Sequence, residues 1–115
     1  MSEDCLFDKI IDGEIPSDKV YEDDEILAFK DVQPTAPVHI LIIPKKHIPA
    51  VSEMDQEDTQ LIGKLFWVAK KLAEKEGIDS DGYRLVINNG DNGGQHVHHI
   101  HLHLIGGRKM AWPPG

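Results

Sequence analysis

The stretch Gly93–Gly107, GGQHVHHIHLHLIGG, constrains this chain more than any other. Five of the seven histidines fall inside it, and three of them, His99, His101 and His103, alternate with Ile100, Leu102 and Leu104. Period-two alternation predicts a β-strand, because successive strand residues point to opposite faces. The aliphatic face packs on a core, and the imidazole face is left for solvent or a ligand.

Three histidines in register admit three readings. They can be the wet side of a half-exposed strand. They can bind a metal. His99 and His103 lie about 13 Å apart along a strand, too far for all three rings to share one tetrahedral ion with bonds of about 2.0 Å, although His99 and His101 with a remote ligand such as His39 are feasible. Or they can be a nucleophilic imidazole flanked by two that orient it and the substrate. The spacing suits this last reading better, because each ring then has a different task at a different place.

The rest of the chain supplies a frame for that segment. With 115 residues there is room for one core, so a single domain spanning 1–115 is predicted. Leu6, Phe7, Ile10 and Ile11 recur at helical spacing before Gly13 and Pro16, which predicts a short first helix. Lys19 to Glu22 and Ile26 to Lys30 flank an acidic turn and read as a hairpin. Asp31 follows, where a carboxylate is ordinarily a solvated turn residue. Val38 to Ile43 is an apolar run broken only by His39, the pattern of a central strand. A core histidine there needs a hydrogen-bond partner, either a carbonyl or the histidine-rich segment. His47, past Pro44, reads as a surface or loop residue.

Asp55 and Asp58 resemble a helix start, and Leu61, Leu65, Phe66, Ala69, Leu72 and Ala73 continue at helical intervals up to Gly77. Lysines near its end agree with the helix dipole. This helix is the predicted cover for the aliphatic side of the sheet, with Phe66 and Trp67 in packing or subunit contact. Gly82 opens a strand over Tyr83 to Asn88, and NNGDNGG must be a turn. Two-layer packing then gives an α+β architecture: an antiparallel sheet of about five strands, a long helix on one face and the site on the other.

Composition excludes several classes. A net charge of −8 argues against nucleic acid as a partner, since backbone phosphates are bound by clustered Lys and Arg. A single small nucleotide needs no basic surface. No apolar run approaches a membrane span, the acidic N-terminus is unlike a secretory signal, and the single Cys5 fits a reducing compartment, so a cytoplasmic location with no membrane partner is expected. Nothing near Cys5 in sequence marks it as activated.

The run His99-Ile100-His101-Leu102-His103-Leu104-Ile105 matches the histidine-triad signature, in which three histidines alternate with apolar residues. APVHILIIPKKHI, RLVINNG, the GGQ before the triad and the closing GGRKMAWPPG resemble, in order and spacing, the histidine triad nucleotide-binding (Hint) branch. The resemblance runs from Leu6 to Gly115. It implies a two-layer fold whose sheet continues across a homodimer, with the tail 108–115 reaching the interface and Trp112 approaching the partner's site. It also implies a purine nucleotide pocket. Leu6, Phe7, Ile10, Phe29 and Val32 would surround the base, Asp31 would accept from ribose hydroxyls, Asn88 would lie close to the phosphate or its leaving group, and Gly94, Gln95, His96 and Val97 would also bind the nucleotide.

By the same resemblance, His101 attacks the α-phosphorus of a nucleoside phosphoramidate, such as adenosine phosphoramidate or an aminoacyl-adenylate. The nucleotidyl-histidine so formed is hydrolysed to AMP or GMP. His99 with His39 forms the network that supports the imidazolium, and His103 hydrogen-bonds the phosphate. No cofactor and no metal are required. His96 and His98 stand where that branch commonly has serine and tyrosine. The alternatives are a dinucleoside-polyphosphate hydrolase, a nucleotide-binding regulatory module with incidental hydrolysis, and a zinc protein.

Overall fold

A computed structural model describes residues 5–115. Residues 1–4 of the predicted domain lie outside that range. The elements run α1 (Leu6–Ile11), β1 (Lys19–Glu22), β2 (Ile26–Lys30), β3 (Val38–Pro44), α2 (Thr59–Lys75), β4 (Tyr83–Val86) and β5 (Leu102–Gly106). The five strands form one antiparallel sheet in the order β1-β2-β3-β5-β4.

The hairpin closes where predicted. Asp23 Oδ1 accepts the amides of Glu25 and Ile26, both at 2.8 Å, so the aspartate side chain satisfies the turn that would otherwise expose them. β3 is central, paired with β2 on one edge and β5 on the other, which is why its sequence is almost continuously apolar. Alternation sorts its side chains. Ile40 and Ile42 join Ile26, Ala28, Leu102 and Leu104 beneath Leu65, Val68, Ala69 and Leu72 of α2. Leu41 and Ile43 face the other way and pack with Leu27, Phe29, Phe7 and Ile10. The sheet thus carries α2 on one face and the short α1 on the other, and the site lies on the α1 face.

α2 starts as its sequence indicates. Asp55 and Asp58 make a reciprocal capping box in the 3-10 turn that leads into it, and Asp58 Oδ1 also accepts from Lys46 Nζ at 2.6 Å. Among the described residues no helix is long and apolar enough to cross a membrane.

Two strand boundaries differ from the sequence reading. β4 stops at Val86 instead of reaching Asn88, and β5 begins only at Leu102. His99 and His101 therefore precede the ladder, and only His103 of the three lies in a paired strand. The cause is competition for backbone partners: the amide of Ile100 donates to the carbonyl of Ile48 at 2.7 Å, so the chain here follows the segment leaving β3 and not β3 itself. Nor do the histidines form a solvent-facing row. His99 is fully buried and His101 nearly so, while Ile100, Leu102 and Leu104 keep the apolar side.

Candidate active site

Each imidazole of the triad has one nitrogen committed to a partner, and those partners fix the tautomers. His101 Nδ1 lies 2.7 Å from the backbone carbonyl of His99. A carbonyl only accepts, so the proton is on Nδ1 and Nε2 keeps its lone pair. Burial lowers the His101 pKa, which holds the ring in that neutral, nucleophilic form. Phe7 stands edge-on to the ring at 5.0 Å between centroids and closes one side of it.

His39 sits at the start of β3, cross-strand from β5. Its Nδ1 accepts the amide of Thr35 at 3.1 Å, which leaves the proton on Nε2 to donate to His103 Nδ1 at 3.0 Å. His103 must then carry its own proton on Nε2. That atom is buried and has no hydrogen-bond partner among the described residues. An unpartnered buried N–H next to a lone-pair nitrogen is a ready donor for an anionic ligand. Burial, with smaller contributions from His101 and His39, lowers the His103 pKa to about 4, so the ring meets that ligand neutral. Asp31 follows β2, with Oδ1 accepting the Gln33 amide and Oδ2 3.4 Å from His39 Nε2. It is tied to the histidine pair as well as to its turn.

His99 is turned elsewhere. Its Nε2–H donates to the carbonyl of Pro44 at 2.7 Å, so the Nδ1 lone pair points toward His47 Nδ1 at 3.1 Å, Asp8 Oδ1 at 3.4 Å and Cys5 Sγ at 3.6 Å. The joint network expected of His99 and His39 is therefore split in two: His39 belongs to His103, and His99 to residues from α1 and the β3 exit. His47, read from sequence as a surface residue, is half-buried within this second group. Cys5 also has neighbours that its sequence context did not reveal, and burial raises its thiol pKa. The detectable signal was the i, i+3 spacing of Cys5 and Asp8, which puts both on one side of α1. The metal set weighed from sequence, His99 with His101 and His39, is not the one that converges.

Of the remaining predicted residues, Phe7, Ile10 and Phe29 are buried together on the α1 face of the sheet, and Leu6 and Val32 are exposed. Phe7 and Phe29 meet edge to face at 5.5 Å. The others lie in or near the turn before the triad. A Cβ on Gly93 would lie 2.5 Å from the Asn89 carbonyl oxygen, and Gly94 has φ +80°, so the turn needs both glycines. Gln95, expected among the nucleotide-binding residues, directs its side chain into the protein. Its Oε1 accepts the Gly90 amide, and its Nε2 donates to the carbonyls of Pro49 at 2.7 Å and Val97 at 3.0 Å. It braces the turn. Asn88 is half-buried just after β4, and His96, Val97 and His98 line a cleft of about 410 Å³ with Leu6 and Pro49. Trp112 is 82% exposed at the end of a tail held by Arg84, which donates to the Ala111 carbonyl at 2.7 Å.

The sequence and the fold recur in known proteins. The chain is 54% identical over 111 residues to a purine nucleoside phosphoramidase of Escherichia coli, covering 96% of this chain and 93% of that one. It is 56% identical to a HIT-like protein of Synechococcus elongatus over the full length of both. The crystal structure of a HIT family hydrolase from Legionella pneumophila superposes with a TM-score of 0.96 at 55% identity, covering 97% of this chain and all of that one. The HIT domain model matches residues 12–110, and the chain belongs to the HIT family.

Proposed function

We propose that this chain is a Hint-branch purine nucleoside phosphoramidase, hydrolysing the P–N bond of a purine nucleoside phosphoramidate by way of a nucleotidyl-histidine. The observation that carries the reading is the pairing of a lone-pair nitrogen with a free donor. His101 Nε2 has no proton because Nδ1 is bonded to the His99 carbonyl, and His103 Nε2–H has no partner among the described residues. One is a nucleophile and the other a ligand for the phosphoryl oxygen whose charge grows as the bond forms.

In the first step His101 Nε2 bonds to phosphorus, the P–N bond breaks, and the amine leaves with a proton. His96, at the cleft with Val97 and His98, supplies it. In the second step water attacks phosphorus and gives a proton back to His96, the P–His101 bond breaks, and the neutral imidazole returns with release of the nucleoside monophosphate. The base lies against Phe7, Ile10 and Phe29 with Leu6 and Val32 at the rim, and the ribose hydroxyls donate to Asp31. The 54% identity to the phosphoramidase of Escherichia coli supports the leaving-group class and the purine. The working enzyme is a homodimer in which edge strand β4 pairs with its copy and Trp112 enters the partner's site.

His101→Ala is expected to abolish turnover of adenosine phosphoramidate, and acid-quenched wild-type protein is expected to carry a nucleotidyl mass increment on His101. Retained hydrolysis in the variant overturns the reading. Faster turnover of a diadenosine polyphosphate than of the phosphoramidate moves it to the dinucleotide hydrolases.

A further inference from the structure

Arg108 lies just beyond β5, the strand that carries His103, and it is exposed. An arginine in such a place is ordinarily a solvated charge or the partner of a carboxylate. This one is neither. Its Nε and Nη2 both donate to the carbonyl of Thr35, at 3.3 and 2.9 Å, its Nη1 donates to the carbonyl of Lys109 at 3.2 Å, and among the described residues no carboxylate pairs with it. The preceding Gly107 has φ +91°, and a Cβ there would lie 2.8 Å from Pro37 Cβ. The chain leaving β5 therefore grips the loop before β3 at both Thr35 and Pro37.

Thr35 is where that grip meets the histidines. Its amide donates to His39 Nδ1 at 3.1 Å, and its hydroxyl oxygen lies 3.4 Å from the same nitrogen. The two groups act on the ring in opposite ways. An amide only donates, so it leaves the His39 proton on Nε2, from which it goes to His103 Nδ1 at 3.0 Å. A hydroxyl can also accept, and so admits the proton on Nδ1. In that second state His39 Nε2 accepts from His103 Nδ1–H, and His103 Nε2 is left with a lone pair where the phosphoryl oxygen needs a donor. The position of the Thr35 backbone decides between the two.

We propose that Arg108 is a positioning residue for the reaction: by fixing the Thr35 backbone it keeps the Thr35 amide on His39, and so sets the tautomer of His103. The links close a ring. The chain joins His103 to Arg108, Arg108 bonds Thr35, Thr35 leads into β3 and bonds His39, and His39 bonds back to His103. A guanidinium suits the task, because it stays ionised and hydrogen bonds from an ionised donor are stronger than neutral ones. Burial lowers the pKa of both His39 and His103, so both rings are neutral at neutral pH and the tautomer, not the charge, is what varies. The kinetic consequence rests on the proposed phosphoryl transfer, whereas the tautomers are read without substrate.

Imidazole ¹⁵N spectroscopy of the ligand-free full-length protein at about pH 7.5, beside steady-state turnover of adenosine phosphoramidate, tests this. The wild type should show His39 and His103 both protonated on Nε2. Arg108→Met should bring in the Nδ1–H form of both rings and lower kcat about 10- to 50-fold with KM changed less than about threefold, a smaller loss than removal of the donor itself. Arg108→Ala should repeat this, so one variant that fails to fold does not protect the idea. Arg108→Lys, which keeps a cationic donor, should restore the wild-type spectrum and most of kcat. A wild-type His103 protonated on Nδ1 overturns the proposal. So does a lowered kcat with the wild-type tautomers unmoved, which is a structural effect only, or a tautomer shift that leaves kcat unchanged. If the tautomers shift as stated while His101→Ala still hydrolyses the substrate, the control of His103 by Arg108 stands and the nucleotidyl-histidine reading falls.

Discussion

His103 has the same side chain as His99 and His101, yet its spare nitrogen carries a proton where theirs carry lone pairs, and that follows from two hydrogen bonds, the second of them away from it. Thr35 donates to His39 Nδ1, His39 Nε2 donates to His103 Nδ1, and the His103 proton is left on Nε2 with no partner among the described residues. Replacing His103 by Ala removes that donor, and kcat for adenosine phosphoramidate is expected to fall about 10²- to 10³-fold, the usual cost of one oxyanion ligand. The same burial sets a pH dependence. The ring titrates near 4 in the folded protein against 6.5 for the free side chain. Above 6.5 it is neutral in both folded and unfolded chains and contributes no pH dependence. As pH falls from 6.5 toward 4 the unfolded chain takes up the proton first, so native stability is lost over that window. After allowance for partial exposure the loss is on the order of 2 kcal/mol. Urea midpoints measured at about pH 7 and about pH 5 should show it, and His103→Leu should flatten part of the difference.

At the level of elements, the parts legible in the sequence are those with local causes. α1, the β1–β2 hairpin and the start of α2 fall where apolar spacing, Asp23 and the Asp55–Asp58 box put them. The start of β5 was not legible, because a strand begins where a partner is available, and the Ile100 amide is taken by Ile48. The GGQ turn shows the same limit. Its glycines announced a turn, but not that Gln95 points inward to hold Gly90, Pro49 and Val97 together. Gln95→Ala leaves those buried backbone groups without partners, at about 1–3 kcal/mol for such a loss. The variant is expected to unfold at lower urea and, because the turn slackens beside His96 and Val97, to show a raised KM with a smaller change in kcat.

For the whole molecule, β4 is an open edge of the sheet and Trp112 lies 82% exposed at the end of a pinned tail. An unpaired edge offers its free backbone groups to a partner strand, and an indole this exposed gains by being covered. The proposed homodimer covers them. Sedimentation velocity at micromolar concentration should show a dimer, and Trp112→Ala should raise the KM for the phosphoramidate while leaving the dimer intact. A monomer at tens of micromolar overturns the shared sheet.

By itself the sequence determined the α+β class, the central strand, the helix that covers one face, and the three alternating histidines on which the proposed chemistry rests. These depend on period, on turn chemistry and on side chains a few residues apart, all of which are written along the chain. Only the tertiary structure decided which nitrogen of each histidine bears its proton, that His39 bonds His103 and not His99, and that Cys5, Asp8 and His47 gather around His99. A tautomer depends on the carbonyl or amide that meets the ring, and those groups, Thr35, Pro44 and the His99 backbone among them, are brought there by the sheet and by the segment that leaves it.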